Sequence, residues 1–281
     1  MTDTIHPSAI VDPRAHLADG VTVGAFSVIG PEVRLGTRVN VGHHVVLESR
    51  VIVDDGAVIG HGSVLGGAPQ DLKFTPGTSS GVLIGASTVI REYVTIHRAA
   101  TPEGWTRIGA DCLLMAMCHV AHDCRLEDGV IIINYAGITG HCVIGARATI
   151  GGHSGMVPFS RVGTHAYVGG FAKLLADVPP FVIVDGAPAR AHGINVIGLR
   201  RAGMPPEQRR RLQDAYRLLY RNGLGLREAI DRIRQELPGG EPIDTLVEFL
   251  AASRRGICRP SRASASGEGD PVGASEPEAV S

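Results

Sequence analysis

The sequence predicts a mainly β fold, in which short parallel strands wind into a triangular prism, followed by a small α-helical domain. Two observations predict this fold. Aliphatic residues recur at every sixth position from Ile5 to Leu174, with one long break. Glycine is abundant and aromatic residues are scarce, with 37 Gly against one Trp, five Tyr and six Phe in 281 residues. Such a composition suits a thin, repetitive core with many turns rather than a core filled by aromatic rings.

Two runs of aliphatic residues carry the six-residue period. The first holds only Ile, Leu or Val at eleven successive sixth positions, from Ile5 to Leu65. The second extends from Ile84 to Leu174 and is offset by one residue. Each unit supplies one flat strand and one turn, so three units make an 18-residue coil with its aliphatic side chains inside. The period predicts a left-handed parallel β-helix over residues 1–190, its handedness taken from proteins with this hexapeptide repeat.

Small residues occupy two further positions of the unit. A small or β-branched residue follows each aliphatic by four positions, and Cys112, Cys118, Cys124 and Cys142 all occupy this tight inner site. We interpret these cysteines as buried packing residues, with redox or metal roles as the alternative. Glycine often follows the aliphatic directly, as at Gly24. We expect glycine there because a corner needs backbone angles that other residues avoid.

The period has one long interruption and then ends. Residues 66–83 are rich in Pro, Gly and Ser, and a loop of this size on a compact solenoid is usually functional. Residues 191–260 show helical apolar spacing, which predicts a domain of three helices. Arg200 to Arg262 includes 14 arginines against 8 acidic residues, which indicates either solvated helix faces or a dock for phosphates or an acidic protein. Residues 261–281 are expected to be disordered.

Charge and hydropathy exclude several classes of protein. The formal net charge of −1 gives no support to whole-protein binding of nucleic acid. No apolar run approaches the roughly 18 residues of a membrane span, and the first residues lack the pattern of a secretory signal. Because five cysteines in such a chain indicate a reducing compartment, we expect a cytoplasmic protein.

The residues able to do chemistry concentrate in the second run. His119 and His122 lie in the stretch Cys-His-Val-Ala-His-Asp-Cys, so Asp123 directly follows His122. Gly140 comes one full coil length after His122 and should stack directly above it. We interpret His122 as a general base, Asp123 as the carboxylate that orients it, and the Gly140 N–H as a donor to an oxyanion. The alternative is that His122 is an ordinary surface histidine.

Histidines on such a prism also raise a zinc hypothesis, because gamma-class carbonic anhydrases bind zinc between subunits of this type. That family places two ligands five positions apart. Here the close pair, His119 and His122, is three apart, and no two histidines are separated by five. The sequence therefore predicts no metal site.

The chain resembles the UDP-N-acetylglucosamine O-acyltransferases that begin lipid A biosynthesis, a hexapeptide-repeat family that depends on acyl carrier protein. The hexads alone are shared by many acyl- and acetyltransferases. The specific motifs lie in family order and spacing between about residues 5 and 258. They are Gln70-Asp71-Leu72-Lys73, Thr95-Ile96-His97-Arg98, Leu113-Leu114-Met115, His119-Val120-Ala121-His122-Asp123-Cys124, Gly140-His141, Asp177-Val178-Pro179-Pro180, Gly193-Ile194-Asn195 and Gly198-Leu199-Arg200-Arg201.

The resemblance implies a homotrimer with active sites in clefts between adjacent prisms. It implies transfer of a 3-hydroxyacyl chain from acyl carrier protein to the glucosamine 3-hydroxyl of UDP-N-acetylglucosamine. No covalent acyl-enzyme is implied, and no cofactor beyond the carrier's phosphopantetheine. The basic helices become the dock for the acidic carrier. The implied catalytic residues are His122, Asp123 and Gly140; the substrate-lining residues are Gln70, Asp71, Lys73, His97, His119 and His141; the nucleotide contacts are Asn195 and Arg201; and Gly170 sets acyl-chain length.

Because Gly170 has no side chain, we expect an acyl group of about 12 to 14 carbons. The chain departs from the family at Val157-Pro158, where many members have His-Gln, and at Ala202, where a second arginine is usual. These departures leave open whether the acceptor carries a 3-hydroxyl or a 3-amino group. The runner-up is the related N-acyltransferase of the same pathway, or another acetyltransferase. A non-catalytic scaffold is the remaining class, but it would need no His122-Asp123 pair.

Overall fold

The computed structural model describes residues 4–237 and 239–261, which form a prism of mostly two-residue parallel strands followed by four helices. The strands make three sheets, called here the first, second and third faces in the order in which the chain meets them. The first face comprises Thr4–Ile5, Thr22–Val23, Asn40–Val41, Val58–Ile59, Val89–Ile90, Leu113–Leu114, Ile131–Ile132, Thr149–Ile150, Tyr167–Val168, Val182–Asp185 and Arg190–Ile194. The second comprises Ile10–Val11, Val28–Ile29, Val46–Leu47, Val64–Gly67, Thr95–His97, His119–Val120, Gly137–Ile138, Gly155–Met156 and Lys173–Leu174. The third comprises His16–Leu17, Arg34–Leu35, Arg50–Val53, Gly81–Ile84, Trp105–Ile108, Arg125–Leu126, Val143–Ile144 and Arg161–Val162.

Strands pair in the register that the predicted coil requires. Val120 pairs with Ile138, one coil length further along the chain. Ile59 pairs with Ile90, which is more than one coil length away, because segment 68–80 leaves the prism between them. The interruption predicted at 66–83 is therefore too long at both ends, since strand pairing continues through residue 67 and resumes at residue 81.

The inner aliphatic residues form one continuous core. Ile29, Leu65 and Leu126 are each at most 1% exposed, whereas Ile5 in the first coil is 43% exposed because no coil covers it. The four predicted inner cysteines are buried and free of disulfides, which confirms their packing role. Burial raises the pKa of Cys118 to about 12, so this thiol stays protonated and inert at neutral pH.

Among the glycines that directly follow an inner aliphatic residue, only Gly66 has a positive φ, so the predicted reason for the corner glycines is wrong for the others. Gly24 has no positive φ; the positive values fall two positions later, on non-glycine residues such as Phe26 (φ 59°) and His44 (φ 56°). A Cβ built on Gly24 would lie 2.6 Å from the carbonyl carbon of Gly42 in the next coil. Glycine is needed there because stacked coils bring backbone against backbone, not because of its conformational freedom.

The prism ends in an antiparallel strand pair and four helices. Val182–Asp185 pairs with Arg190–Ile194, so the predicted boundary at 190/191 falls within a strand of the first face. The three predicted helices are present, and a short helix precedes them that the spacing did not predict. The helices are α1 (Val196–Arg201), α2 (Pro206–Tyr220), α3 (Leu226–Glu236) and α4 (Ile243–Ala251).

The last described residues return to the prism. Asp177 is 1% exposed; its carboxylate accepts hydrogen bonds from the Arg161 N–H at 3.0 Å and the Ser253 hydroxyl at 2.8 Å. Its carbonyl accepts the Cys258 N–H, and the Ser261 N–H donates to Ala191. Residues 262–281, the rest of the tail predicted to be disordered, lie outside the described residues. Within the described part of the chain, no helix has the length and apolar character needed to cross a membrane.

Candidate active site

His122 and Asp123 lie at the corner between the second and third faces. We call this the histidine corner; it consists of residues 121–123, 139–141 and 157–159 in three successive coils. The coil register brings them together, since the His141 N–H donates to the His122 carbonyl at 3.0 Å. Both side chains are only slightly exposed, His122 at 12% and Asp123 at 10%.

A 2.8 Å hydrogen bond joins His122 Nδ1 to Asp123 Oδ2. Burial alone would raise the pKa of Asp123, but the hydrogen bonds from His122, Thr101 and the Ala100 N–H outweigh it and lower the pKa. Because the ionised carboxylate only accepts, Nδ1 must carry the proton, and the lone pair of His122 lies on Nε2. This is the tautomer that a general base needs.

Gly140 provides both the space and the free donor next to His122. A Cβ built on Gly140 would lie 2.7 Å from His122 Nε2, so any side chain there would cover this nitrogen. At an equivalent position elsewhere, Asp128 Oδ1 of the next coil caps the Ala110 N–H at 2.8 Å. The residue one coil beyond Gly140 is Pro158, whose side chain has no acceptor, and no described residue accepts a hydrogen bond from the Gly140 N–H.

His141 forms the open side of the corner. Its ring stacks on Phe159 at 4.4 Å with planes 2° apart, and stands edge-on to His122 at 5.1 Å. Its Nε2 lies 4.0 Å from Asp123 Oδ2. The ligand atoms of His122, Asp123 and His141 fall within 4.8 Å of one another, so these three are the group of described residues able to hold a metal ion.

His97 and His119 lie beside the corner on the second face. The rings meet edge-on at 4.7 Å, and His119 Nδ1 is 2.7 Å from Thr95 Oγ1. Burial lowers the pKa of both; that of His97 falls to about 4, helped by the charges of His119 and His122. Both rings are therefore neutral at pH 7. His97 Nδ1 is buried without a hydrogen-bond partner among the described residues.

The other predicted residues do not join this cluster within one chain. In the 68–80 loop, Gln70 and Lys73 are exposed, and Asp71 Oδ1 accepts the Lys73 N–H at 2.9 Å. Asn195 caps α1 by accepting the Gly198 N–H, and its amide donates to the His165 carbonyl at 2.9 Å.

His165 belongs to the corner between the third and first faces, so Asn195 lies at a different corner of the prism from His122. Arg201 ends the same helix, α1, and is exposed. Gly170 lies at the corner between the first and second faces, where a Cβ would meet only the Gly152 carbonyl, at 3.4 Å.

Sequence reasoning missed the backbone that holds Asp123. The Ala100 N–H donates to Asp123 Oδ2 at 2.8 Å and the Thr101 N–H to Oδ1 at 3.4 Å. Thr106 Oγ1 accepts the Asp123 N–H at 2.9 Å. These residues lie in a second, smaller interruption of the repeat, residues 98–107, where Pro102 takes an aliphatic position and counting by coil lengths fails. Phe159 was also missed, although counting one coil length from His141 would have found it.

Fold and site together define a hexapeptide-repeat acyltransferase, and comparison with known proteins identifies its family. Residues 177–258 match the profile described as UDP N-acetylglucosamine O-acyltransferase, domain 2. The chain is 44% identical over 260 residues to the acyl-[acyl-carrier-protein]–UDP-N-acetylglucosamine O-acyltransferase of Burkholderia orbicola, covering 91% of this chain and 99% of the relative. It is 48% identical over 257 residues to that of Alkalilimnicola ehrlichii, with the same coverage. The chain belongs to this family of acyltransferases.

Solved structures agree. The UDP-N-acetylglucosamine acyltransferase of Francisella novicida superposes with a TM-score of 0.88 at 32% identity, covering 93% of this chain and 96% of that one. The UDP-N-acetylglucosamine O-acyltransferase of Moraxella catarrhalis gives 0.85 at 35% identity, covering 92% and 100%. The predicted family and the predicted fold class, a left-handed parallel β-helix with a helical C-terminal domain, are confirmed.

Proposed function

We propose that the protein transfers a 3-hydroxyacyl chain from acyl carrier protein to the glucosamine 3-hydroxyl of UDP-N-acetylglucosamine, the first step of lipid A biosynthesis. One observation carries the proposal: His122 is hydrogen-bonded to Asp123 at 2.8 Å, with its free Nε2 beside the uncapped N–H of Gly140. A base and an oxyanion donor in one corner suit attack of a hydroxyl on a thioester.

The proposed reaction proceeds without a covalent acyl-enzyme. His122 Nε2 takes the proton of the 3-hydroxyl as its oxygen bonds to the thioester carbon. The Gly140 N–H donates to the resulting oxyanion, and Asp123 stabilises the imidazolium. Collapse breaks the carbon–sulfur bond, and the leaving thiolate of phosphopantetheine receives the proton from His122. The reaction needs no other cofactor or metal.

A homotrimer is supported by the unequal faces of the prism. Every exposed large apolar residue of the described prism coils lies on the first or second face, or at a corner that borders the second face. Ile10 (66% exposed), Phe26 (60%) and Phe171 (74%) are examples. Arginines occupy half of the outer positions of the third face: Arg34, Arg107, Arg125 and Arg161. An apolar pair of faces with one charged face fits a prism that packs against copies of itself and leaves the third face in water.

The trimer also gives a role to residues remote from His122. Asn195 and Arg201 lie at another corner of the same prism, so we assign their nucleotide contacts to a site shared with a neighbouring subunit. Gln70, Asp71 and Lys73 would reach the acceptor from the loop, with His97, His119 and His141 lining it. Val157 and Pro158 supply no side-chain hydrogen bond there, so acceptor recognition depends on these other residues.

A strip without side chains supports an acyl groove that leads from the histidine corner toward Gly170. On the second face, the outer positions after His119 are Gly137 and Gly155 in the next two coils, and a Cβ on either would meet nothing within 4 Å. Gly152 and Gly170 then stack at the adjoining corner. An extended hydrocarbon can lie on such bare backbone, which agrees with an acyl group of about 12 to 14 carbons.

The first turns of the helical domain support docking of the acidic carrier. Val196 and Ile197 are 37% and 43% exposed, and Val196 lines a groove with Pro206, Arg209, Arg210 and Gln213. An apolar patch beside arginines is complementary to an acidic amphipathic helix.

The decisive experiment is an assay of purified protein with UDP-N-acetylglucosamine and acyl carrier proteins loaded with 3-hydroxyacyl chains of different lengths. We expect an O-acylated UDP sugar, most rapidly with about 12 to 14 carbons. Equal transfer from short acetyl donors, or acylation only of a 3-amino acceptor, would contradict the proposal.

A further inference from the structure

The 68–80 loop begins directly after a β-bulge that Arg98 contacts. The strand bulges at Gly66, just before the chain leaves the prism; the φ of Gly66 is +87°, and its Cβ position is blocked by the Glu48 carbonyl. The Arg98 N–H donates to the Gly67 carbonyl at 3.1 Å, and its Nη1 donates to the Gly66 carbonyl at 3.5 Å. The same Nη1 also donates to Ser49 Oγ in the coil that precedes the loop.

The middle of the loop rests on the same side chain. The Arg98 guanidinium lies over the Phe74 ring, 5.3 Å from its centroid. Phe74 follows Lys73 directly, and the Phe74 N–H donates to the Asp71 carbonyl at 2.9 Å. The contact therefore fixes the turn that carries the proposed acceptor-binding residues Asp71 and Lys73.

The end of the loop is hydrogen-bonded to Ala99, the residue that follows Arg98. Ser80, which is 2% exposed, donates its hydroxyl to the Ala99 carbonyl at 2.5 Å, and the Ala99 N–H donates to the Gly81 carbonyl at 3.4 Å. The following N–H, that of Ala100, donates to Asp123 at 2.8 Å. Arg98 thus contacts the start and the middle of the loop, and Ala99 contacts its end. Ala100 holds the Asp123 carboxylate beside the proposed base.

We propose that Arg98 is a positioning residue that sets the acceptor-binding loop against the His122–Asp123 pair. This inference rests on the proposed function, because it assigns the loop to the acceptor. Arginine suits the role: its flat guanidinium covers an aromatic ring with one face while its edge donates to two oxygens. Arg98 acts through the loop and not on the reacting atoms.

The first test compares Arg98→Met with Arg107→Met, a control at an exposed arginine of the third face. Methionine keeps much of the apolar stem but removes the donors and the cation. For R98M we expect the KM for UDP-N-acetylglucosamine to rise about tenfold or more, with kcat reduced less than about threefold, because the chemistry at His122 is untouched. R107M should match wild type.

A second readout does not depend on activity. Lys73 is exposed, and trypsin can cleave after it once the loop opens. In R98M, cleavage after Lys73, followed by mass spectrometry, should be several times faster than in wild type and R107M at an unchanged melting temperature. Arg98→Lys keeps only the charge, so its KM for UDP-N-acetylglucosamine should be only slightly lower than that of R98M.

A third comparison covers the case in which R98M folds poorly. Phe74→Leu leaves Arg98 in place and removes the aromatic ring. Its KM for UDP-N-acetylglucosamine should rise, but less than that of R98M. Combined with Lys73→Ala, R98M should add little to the KM increase, since both act through one loop.

Wild-type KM and wild-type cleavage in R98M would overturn the inference, as would full additivity with K73A. If wild type itself does not acylate UDP-N-acetylglucosamine, the proposed function fails. The proteolysis result still decides whether Arg98 holds the loop.

Discussion

The histidine corner and the corner between the third and first faces have the same backbone conformation, but their backbone N–H groups and carboxylates have different hydrogen-bond partners. We call the second one the capped corner; it includes residues 36–38, 109–111, 127–129 and 145–147. Asp111 at the capped corner and Asp123 at the histidine corner both have positive φ, 54° and 58°. At the capped corner, Asp128 accepts the Ala110 N–H at 2.8 Å and Glu127 accepts the Ala146 N–H at 3.1 Å.

At the histidine corner the same kinds of group have different hydrogen-bond partners. Asp123 turns its carboxylate to His122 and to the N–H groups of residues 100 and 101 rather than to a corner N–H. The Gly140 N–H is left uncapped because Pro158 stands where an acidic residue would cap it. The repeat therefore supplies the same corner backbone in both places. The histidine corner differs because the Asp123 carboxylate turns to His122 and because no described side chain caps the Gly140 N–H.

Removing the proposed base should have the largest effect. His122→Ala should lower kcat at least about 100-fold, because it removes the Nε2 atom that lies beside the Gly140 N–H and is proposed to take the proton. The side chain contributes little to the core, so melting temperature and subunit number should stay unchanged. The same substitution at His43, an exposed histidine at the corner between the first and second faces, serves as the control and should leave kcat unchanged. Near-normal turnover in H122A would refute the assignment.

Converting the histidine corner into a capped corner should come next. In Pro158→Asp, the new carboxylate stands to Gly140 as Asp128 stands to Ala110, so it should cap the N–H that is proposed to bind the oxyanion. Loss of one such donor typically lowers kcat about 10²- to 10³-fold. The melting temperature should not fall.

Two neighbouring variants separate capping from added charge. Pro158→Asn offers a neutral acceptor with the same reach and should lower kcat comparably. Pro158→Ala offers none and should stay near wild type. If P158A loses as much activity as P158D, the proline matters for another reason.

Sequence arithmetic predicted the site only where the period is intact. Gly140 was placed beside His122 by counting one coil length, and the coil register made that count correct. Ala100 and Thr101 could not be found this way, because the chain around them leaves the repeat and folds back on Asp123. Helix α1 was missed for a related reason: it is too short to show a period, and its one signal was Asn195 as a cap.

Chain-length selection should change by a smaller factor at Gly170. A Cβ there meets only the Gly152 carbonyl at 3.4 Å, so Gly170→Met should fold and narrow the proposed groove. At about 0.8 kcal/mol for each buried methylene, excluding two to four of them should shift preference toward shorter chains by roughly ten- to a hundredfold or more. Competition between long and short acyl carrier proteins measures this ratio.

The matched control is the glycine next to it. A Cβ on Gly169 would collide with the Asp185 side chain, so Gly169→Ala should lower the melting temperature. Loss of both long- and short-chain activity in G170M, together with a lower melting temperature, would contradict the length role and make Gly170 a structural glycine.

Uncapping the capped corner should affect stability alone. Asp128→Ala leaves the Ala110 N–H without its acceptor, and the free energy of unfolding should fall by about 0.5 to 1 kcal/mol. Asp128→Asn keeps an acceptor and should recover most of it. Neither variant should change kcat, since Asp128 caps a backbone N–H and is not among the residues assigned to either substrate. A large drop in kcat for D128A at an unchanged melting temperature would mean that the two corners are coupled.

An effect on stability of similar size should come from acid, because the buried histidines of the second face are neutral at pH 7. Burial lowers the pKa of His97 from 6.5 to about 4, so between these values the folded state binds fewer protons than the unfolded state. The stability that neutral His97 contributes is therefore complete above pH 6.5 and is lost as the pH falls toward 4. Relative to His97→Gln, wild type should lose on the order of 1 kcal/mol of unfolding free energy between pH 7 and 4.5, since the ring is half-buried and water screens its charge. Urea unfolding of both proteins at the two pH values measures this difference in unfolding free energy. If wild type instead became more stable than His97→Gln on acidification, the protonated ring would have an acidic partner and the prediction would be wrong.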